Sequence, residues 1–222
     1  MSPGGAPRPV AVLISGRGSN MRALIERSRE AQCAYAVVKV FSDKPAAEGL
    51  RIAAEMGVPV QALDARLAAD RAAYDRELAE AVACCSPSAI ALAGFMRILS
   101  PAFVRAFAGR ILNIHPSLLP KYQGLHTHRR ALAAGDAQHG ATVHYVTEGL
   151  DAGPPVIQAR IAVLPRDDEA SLASRVQAVE HRIYPLAVRW HCEGRLQYRD
   201  GSAWLDGAPL RAPVQLSDLG SN

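Results

Sequence analysis

Short apolar runs and stretches with helical spacing alternate along the first half of the chain. Five of the apolar runs have the length and flanking turn residues of buried strands, and they cover residues 10–15, 35–42, 58–63, 89–93 and 111–115. Between them, helices are predicted over residues 21–29, 46–56, 70–84 and 101–107. Strands that alternate with helices are typical of a mostly parallel sheet covered by helices, with right-handed connections. We therefore predict an α/β fold with a Rossmann-like central sheet flanked by helices.

The second half of the chain has a different pattern. Two predicted strands, 142–147 and 156–164, are joined by a loop rich in glycine and proline, and a long helix is predicted over 169–190. A small hairpin with strands 195–198 and 203–205 follows. Because strands here follow one another without a long crossover between them, this half predicts a mixed or antiparallel part.

These elements predict a single domain over residues 9–206, which divides into a first half of about 9–110 and a second half of about 111–206. Residues 1–8 are expected to form a flexible tail, and residues 207–222 a frayed one.

Composition narrows the class of protein. The chain has 222 residues and is 49% hydrophobic, which is enough for the core of one α/β domain. The net charge is +4, but the basic residues are scattered, so we expect small anionic molecules as partners rather than nucleic acid. No apolar run approaches the roughly 18 residues of a membrane-spanning helix, and the start lacks a secretory apolar segment. We expect a cytoplasmic protein with no membrane partner.

The cysteines do not change this picture. Cys33, Cys84, Cys85 and Cys192 show neither a metal-binding nor a disulfide spacing, which indicates reduced thiols.

Two polar residues interrupt the apolar run at 111–115. Asn113 and His115 are two positions apart, so in a strand their side chains point to the same face. Pro116 lacks a backbone donor and favours extended geometry at His115, which ends the strand there. In parallel sheets, ligands bind outside the carboxyl ends of the strands. The pair is therefore a candidate for chemistry.

A glycine-rich loop follows the first strand, with the sequence SGRGSN. Gly18, Ser19 and Asn20 precede a predicted helix, whose first N–H groups lack partners and favour an anion such as a phosphate. A tight turn with an N-cap and no ligand is the alternative. A dinucleotide fingerprint would need glycine where Met21 stands, although Asp43 after the second strand keeps that possibility open.

Asp151 lies in the loop between the two strands of the second half. Histidine, asparagine and aspartate together suit acyl transfer: the amide donates to a developing oxyanion, and the imidazole moves protons. A nearby carboxylate favours the imidazolium and raises the histidine pKa. No GxSxG motif surrounds Ser117, which indicates direct transfer between two bound substrates. No HExxH motif is present, and His126 and His128 lack a third ligand, so no metal is expected.

Five segments together resemble the glycinamide ribonucleotide formyltransferases, a family within the folate-dependent formyltransferases. Their sequences are AVLISGRGSN, LAGFMRILSPAFV, ILNIHPSLLPKYQGLHTH, GATVHYVTEGLDAGPPVIQ and RVQAVEHRIYP. The resemblance spans about residues 10–206 and keeps the order of the family. It implies transfer of a formyl group from 10-formyltetrahydrofolate, as co-substrate, to the amine of phosphoribosylglycinamide in purine synthesis.

The resemblance also implies roles for single residues. The catalytic residues would be Asn113, His115 and Asp151. The first half of the domain is expected to bind the phosphate, and the second half is expected to carry catalysis and folate binding. Contacts to phosphoribosylglycinamide would come from Gly18, Ser19, Asn20 and Glu180. Those to folate would come from Arg71, Met96, Arg97, Ile98, Leu99, Asn113, Thr147, Glu148, Gly149, Leu150 and Asp151. A monomer or a homodimer is expected.

The same motifs also allow other functions. Formyltetrahydrofolate deformylase and methionyl-tRNA formyltransferase share the HPSLLP pattern, but each usually carries a further domain for which this chain has no room. From another class, a Rossmann-like dehydrogenase or a non-catalytic sugar-phosphate binder is the alternative. The chain departs from the family pattern at Gln123, where proline is frequent, and at Pro155, which doubles a proline.

Overall fold

The computed structural model describes residues 6–219, and an eight-stranded sheet forms its centre. The strands of this sheet are β1 (Arg8–Ile14), β2 (Tyr35–Ser42), β3 (Val60–Ala62), β4 (Ala89–Leu92), β5 (Ile111–His115), β6 (Gln138–Tyr145), β7 (Pro155–Ala162) and β11 (Val214–Gln215). The helices are α1 (Ser19–Ser28), α2 (Glu48–Glu55), α3 (Arg71–Ala83), α4 (Pro101–Ala106), α5 (Thr127–Ala133) and α6 (Glu169–Cys192). A second, antiparallel sheet contains β8 (Leu196–Arg199), β9 (Ser202–Leu205) and β10 (Ala208–Pro209).

The strand order of the large sheet is β11-β7-β6-β5-β4-β1-β2-β3. Strands β1 to β5 pair in parallel, whereas β6 is antiparallel to both β5 and β7. The chain runs outward from β1 to β3 and then returns to place β4 on the other side of β1. Such a switch point opens a crevice at the carboxyl ends of the two strands. The predicted α/β architecture, with its antiparallel second part, is confirmed.

Side chains alternate between two cores, one on each face of the sheet. In β1, Val10, Val12 and Ile14 pack with α1, α2 and α6, while Ala11 and Leu13 pack with α3 and α4. This alternation has the period of two that a strand covered on both faces requires.

Helix starts are fixed by side chains that the sequence makes recognisable. The Asp70 carboxylate accepts from the N–H of Ala73 at the start of α3, and Ser100 does the same for Phe103 at the start of α4. Asp168 begins α6 with a reciprocal capping box. Each cap satisfies donors that a helix otherwise leaves unpaired.

The expected tails differ from the structure in two ways. The N–H of Arg8, placed in the predicted flexible tail, donates to the carbonyl of Ala34, so β1 begins there. The structure differs from the predicted frayed tail over 208–209 and 214–219, because β10 pairs with β9, β11 pairs with β7 and a 3-10 helix follows over Leu216–Leu219. Residues 1–5 and 220–222 of the two tails lie outside the described residues.

The helix α5 was not predicted. It is seven residues long and follows His126, whose backbone is left-handed with φ 58°. Within residues 6–219, no helix has both the length and the apolar character needed to cross a membrane.

Candidate active site

Asn113 and His115 lie at the carboxyl end of β5 with their side chains on the same face. They share that face with Ile111, which packs in the core under α3 and α4. The neighbouring strand β6 pairs Asn113 with His144 and His115 with Thr142. The predicted polar pair is therefore presented at the carboxyl edge of the sheet, as expected.

Both ring nitrogens of His115 face oxygen atoms. Nε2 lies 2.9 Å from the backbone carbonyl of Tyr122, and because a carbonyl only accepts, Nε2 carries the proton. Nδ1 lies 3.4 Å from Oδ2 of Asp151. A proton taken up by the neutral ring is therefore placed on Nδ1, facing a carboxylate. The family resemblance, and not the residues themselves, implied that Asp151 lies near His115, and this is the distance that the structure gives for the pair.

The pKa of His115 is lowered, against the direction expected from the sequence. Burial lowers the pKa and outweighs the Tyr122 carbonyl and the Asp151 charge, which both raise it. The carboxylate acts in the predicted direction, but a ring that is only 6% exposed loses more from desolvation. The imidazole is therefore neutral at pH 7 in the free protein.

Asp151 is held in a left-handed backbone conformation, with φ 47°. Its Oδ2 accepts from the N–H of Gly124 at 2.9 Å, and its Oδ1 lies 3.6 Å from Nε2 of His144. Burial alone would raise the pKa of Asp151, but His144, the Gly124 N–H and His115 outweigh it and lower the pKa below the usual value. The side chain is an anion throughout the neutral range.

His144 is a site residue that the sequence reasoning left among the ordinary histidines. Its Nδ1 lies 2.9 Å from the carbonyl of Tyr145 and so carries the proton in the neutral ring. Nε2 then accepts from the amide of Asn113 at 3.1 Å. This contact fixes which way the Asn113 amide points and leaves its second N–H free. His144 is recognised as a site residue only because it pairs with Asn113 across β5 and β6. The sequence alone does not show this pairing.

The loop at residues 16–20 connects β1 to α1 and is supported by side chains of α6. Gly18 is the N-cap, with φ 76°. The amide of Gln177 donates to Oγ of Ser19 at 2.9 Å, and the amide of Asn20 donates to Glu180 at 2.7 Å. The first N–H groups of α1 lack helical partners, which suits an anion.

Glu180 lies beside this loop and is buried, with 7% of its surface exposed. Burial raises its pKa, and the hydrogen bond from Asn20 offsets part of that rise. Among the described residues, Oδ1 of Asn20 is buried and has no hydrogen-bond partner. A buried acceptor without a partner points to a donor that arrives with a ligand.

Asp43, the basis of the dinucleotide alternative, follows β2 as predicted but is only 7% exposed. A carboxylate that binds the ribose of a dinucleotide must be accessible to the ligand. The burial of Asp43 therefore weakens the dinucleotide alternative.

The residues expected to contact folate lie on two further loops. In the 94–100 loop, Met96 and Ile98 are 63% and 55% exposed, whereas Leu99 is buried. In the 147–153 loop, Leu150 is 53% exposed and Asp151 contacts His115. Large apolar side chains that face solvent in these loops form a surface suited to a flat ring.

Arginines hold these loops in place. Arg71 donates to the carbonyl of Ile98, and the Arg97 guanidinium lies 4.5 Å from the ring centre of Tyr74. The two loops are also tied to other elements. Arg105 of α4 pairs with Glu148 at 2.7 Å. Ser15 accepts from the N–H of Met96 at 2.8 Å, which links the 94–100 loop to the end of β1.

The remaining predicted contacts are simple to place. Thr147 is half-buried and Gly149 is exposed at the start of the 147–153 loop.

Within residues 6–219, no group of three or more His, Cys, Asp or Glu side chains is arranged to hold a metal ion. A cavity of about 520 Å³ between α3 and α4 contains none of the predicted site residues.

The sheet has a switch point, and the Asn-His-Asp cluster that the motifs predict lies at its carboxyl edge. The formyl transferase family model matches residues 8–188, and the chain belongs to that family.

Relatives narrow the class further. The phosphoribosylglycinamide formyltransferase of Escherichia coli is 50% identical over 201 residues, which are 90% of this chain and 95% of that protein. The trifunctional purine biosynthetic protein adenosine-3 of Homo sapiens is 41% identical over 188 residues, which are 85% of this chain and 19% of that protein. A phosphoribosylglycinamide formyltransferase structure from Coxiella burnetii superimposes with a TM-score of 0.91 and 43% identity, and the match covers 95% of this chain and 99% of that one. The predicted resemblance is confirmed, and the chain is an enzyme of the phosphoribosylglycinamide formyltransferase kind.

Proposed function

We propose that the chain transfers a formyl group directly from 10-formyltetrahydrofolate to the amine of phosphoribosylglycinamide, through a tetrahedral intermediate. The observation that carries the proposal is the convergence of Asn113, His115 and Asp151 at the carboxyl end of β5. This arrangement supplies an amide donor, a neutral base and a fixed carboxylate, and no covalent intermediate on the enzyme is needed.

The 16–20 loop and Glu180 are assigned to phosphoribosylglycinamide. The start of α1 would bind the phosphate through backbone N–H groups and the Ser19 hydroxyl. Glu180 and the unpaired Oδ1 of Asn20 would accept hydrogen bonds from the ribosyl glycinamide. The exposed apolar side chains of the 94–100 and 147–153 loops, with Arg71 and Arg97, would hold the flat ring and the anionic part of the folate.

The reaction begins with attack by the neutral amine on the formyl carbon, which makes an oxyanion and a positively charged nitrogen. The free N–H of Asn113, whose other N–H is held by His144, donates to the oxyanion. Neutral His115 then takes one proton from the attacking nitrogen. Since its pKa is lowered by burial, the ring is available as a base at pH 7.

The second half of the reaction returns that proton. Asp151 stabilises the imidazolium, because its carboxylate lies 3.4 Å from Nδ1. The imidazolium protonates the folate nitrogen, the bond from that nitrogen to carbon breaks, and the carbonyl forms again. The products are the formylated amine and tetrahydrofolate, and His115 is neutral once more.

Two substitutions test the assigned roles. Asn113→Ala and His115→Ala should each lower kcat by about a hundredfold or more, since each removes a group used in the transition state. Binding of phosphoribosylglycinamide, followed by calorimetry, should stay within a few-fold of the parent. The control is Gln197→Ala in β8, which removes a polar side chain of similar size from the second sheet. Turnover near that of the parent in both site variants would contradict the roles.

The acceptor is tested by mass spectrometry. Purified enzyme and 10-formyltetrahydrofolate are incubated with phosphoribosylglycinamide, with methionyl-tRNA, or with neither. The expected result is a mass gain of one formyl group on the glycinamide alone. Formate release without an acceptor would indicate a deformylase, and formylated methionyl-tRNA would indicate the tRNA enzyme. A cytoplasmic location and a monomer or homodimer belong to the same proposal.

A further inference from the structure

Three consecutive residues of the segment 121–125 contact the catalytic cluster. The carbonyl of Tyr122 faces Nε2 of His115, and the N–H of Gly124 donates to the Asp151 carboxylate. Between them, Nε2 of Gln123 donates to the backbone carbonyl of Asp151 at 3.1 Å. Gly124 thus holds the side chain of Asp151, and Gln123 holds its backbone.

The backbone of Asp151 needs such a hold. With φ 47° it occupies the left-handed region, which a residue with a side chain adopts at a cost. A hydrogen bond to its carbonyl favours this conformation over the extended alternatives that would turn the carboxylate away from His115. The Gln123 amide is the side chain that makes that bond.

The segment that carries Gln123 is itself anchored. Tyr122 donates through its hydroxyl to Asp136 at 2.8 Å, and Lys121 pairs with the same carboxylate at 2.9 Å. Arg130 of α5 donates to the carbonyl of Gln123 at 2.6 Å. The amide therefore projects from a fixed point toward the 147–153 loop, and it can orient the loop rather than follow it.

The residue type is a departure from the family pattern noted in the sequence. Proline, which is frequent at this position, has no side-chain donor and could not make the bond. The contact therefore depends on the glutamine side chain that this chain carries at position 123.

We propose that Gln123 is a positioning residue that holds the 147–153 loop closed, with Asp151 facing His115, before either substrate binds. This inference rests on the proposed function, because it assigns Gln123 to the same transfer reaction. Gln123 touches no reacting atom and acts through Asp151.

The test compares Gln123→Met with the parent enzyme, since methionine keeps the length of the side chain and removes the donor without adding charge. Amides of residues 149–152 should exchange hydrogen faster in the free enzyme. We expect kcat to fall by about threefold to tenfold, the size of one exposed hydrogen bond. The KM for phosphoribosylglycinamide should not change, because the 16–20 loop and Glu180 are untouched.

The pH profile gives a second readout. The groups that act on His115 are Asp151 and the Tyr122 carbonyl, which raise its pKa, and His144 and Arg130, which lower it. If Asp151 spends less time facing the ring, the acid limb of kcat should move to lower pH. A side chain with a merely structural role would not move that limb.

Gln138→Met is the matched control, because Gln138 is exposed at the start of β6 and lies outside these loops. If Gln123→Met shows the same amide hydrogen exchange and the same pH profile of kcat as this control, the proposal is overturned. A lower kcat with an unmoved acid limb and unchanged exchange would overturn it as well. If the parent enzyme transfers no formyl group, the proposed function fails instead, and the exchange measurement still tests the loop contact.

Discussion

At the scale of single residues, backbone carbonyls decide where the protons sit in the catalytic cluster. The Tyr122 carbonyl places the proton of His115 on Nε2, and the Tyr145 carbonyl places that of His144 on Nδ1. His144 can then accept from Asn113, while His115 presents its lone pair to Asp151. In the neutral cluster, Nδ1 of His115 and the Asp151 carboxylate are two acceptors that face each other, and protonation during the reaction turns that contact into an ion pair.

Replacing Asp151 by asparagine tests this ion pair. Without the carboxylate, the imidazolium loses its main stabilising charge, so the pKa of His115 should fall further below its usual value of 6.5. Because His115 acts as a base, kcat is lost as the pH falls through this pKa, and the acid limb should move to lower pH. The plateau should fall by roughly tenfold to a hundredfold, since the intermediate is less stable. Steady-state kinetics from pH 5 to 8 measure both effects.

Asp200→Asn is a matched control for that experiment. Asp200 has a similar left-handed backbone, with φ 49°, but lies in the turn between β8 and β9. The same change from aspartate to asparagine at position 200 should leave the pH profile of kcat the same as in the parent enzyme. An acid limb that stays in place in Asp151→Asn would mean that the carboxylate does not act on His115.

At the scale of elements, two helices hold the 16–20 loop from opposite sides. From α6, Gln177 and Glu180 bond Ser19 and Asn20. From α2, the N–H of Gly49 donates to the carbonyl of Gly16 at 3.0 Å. The loop is therefore set by the packing of both helices on the sheet as well as by its own sequence.

Gly49 is the position where this packing can be tested. A Cβ added there would lie 2.5 Å from Cδ1 of Ile14, the movable end of a side chain, and 3.0 Å and 3.2 Å from backbone atoms of Gly16 and Gly18. The Ile14 side chain can shift, but the two backbone contacts push the loop and α2 slightly apart. Gly49→Ala should raise the KM for phosphoribosylglycinamide by about tenfold and reduce stability by about 1–3 kcal/mol. The KM for 10-formyltetrahydrofolate is the internal control and should not change. Equal rises in both KM values would show that the helix does not act on the loop alone.

The sequence predicted the elements whose signals are local. The bounds of β2 and β5 match the prediction, because each is a mostly apolar run that ends at turn residues. The helix α5 escaped because its seven residues show no clear apolar period and no capping side chain. The strand β11 escaped because two residues are too few to show alternation.

The candidate site divides in the same way. Asn113 and His115 follow from their spacing in β5, which is a local feature. The approach of Asp151 came only from the family resemblance, since the 147–153 loop is far along the chain. The role of His144 depends on the antiparallel register of β6 against β5, and the net direction of the His115 pKa depends on burial. Neither quantity is written in a short stretch of sequence.

At the scale of the whole molecule, the site lies near the middle of the sheet while the last residues close one edge. Strand β11 pairs with β7, and Val214 lies opposite Ile157. Leu210, Val214 and Leu216 pack against the core on the α6 face. The site strand β5 is separated from β11 by β6 and β7. The edge should therefore contribute to stability and little to chemistry.

Deletion of residues 212–222 separates these two contributions. The chain loses the β11 pairing and the apolar contacts of Val214 and Leu216, which should reduce the free energy of unfolding by on the order of 2 kcal/mol. Turnover at 25 °C should stay within about twofold, because β5 keeps its neighbours β4 and β6, and Asn113, His115 and Asp151 are unaffected. Urea unfolding and steady-state kinetics measure the two quantities on the same preparation. A shorter chain that keeps its stability but loses turnover would mean that the edge strand acts on the site through β7 and β6, against the division of roles that the sheet order indicates.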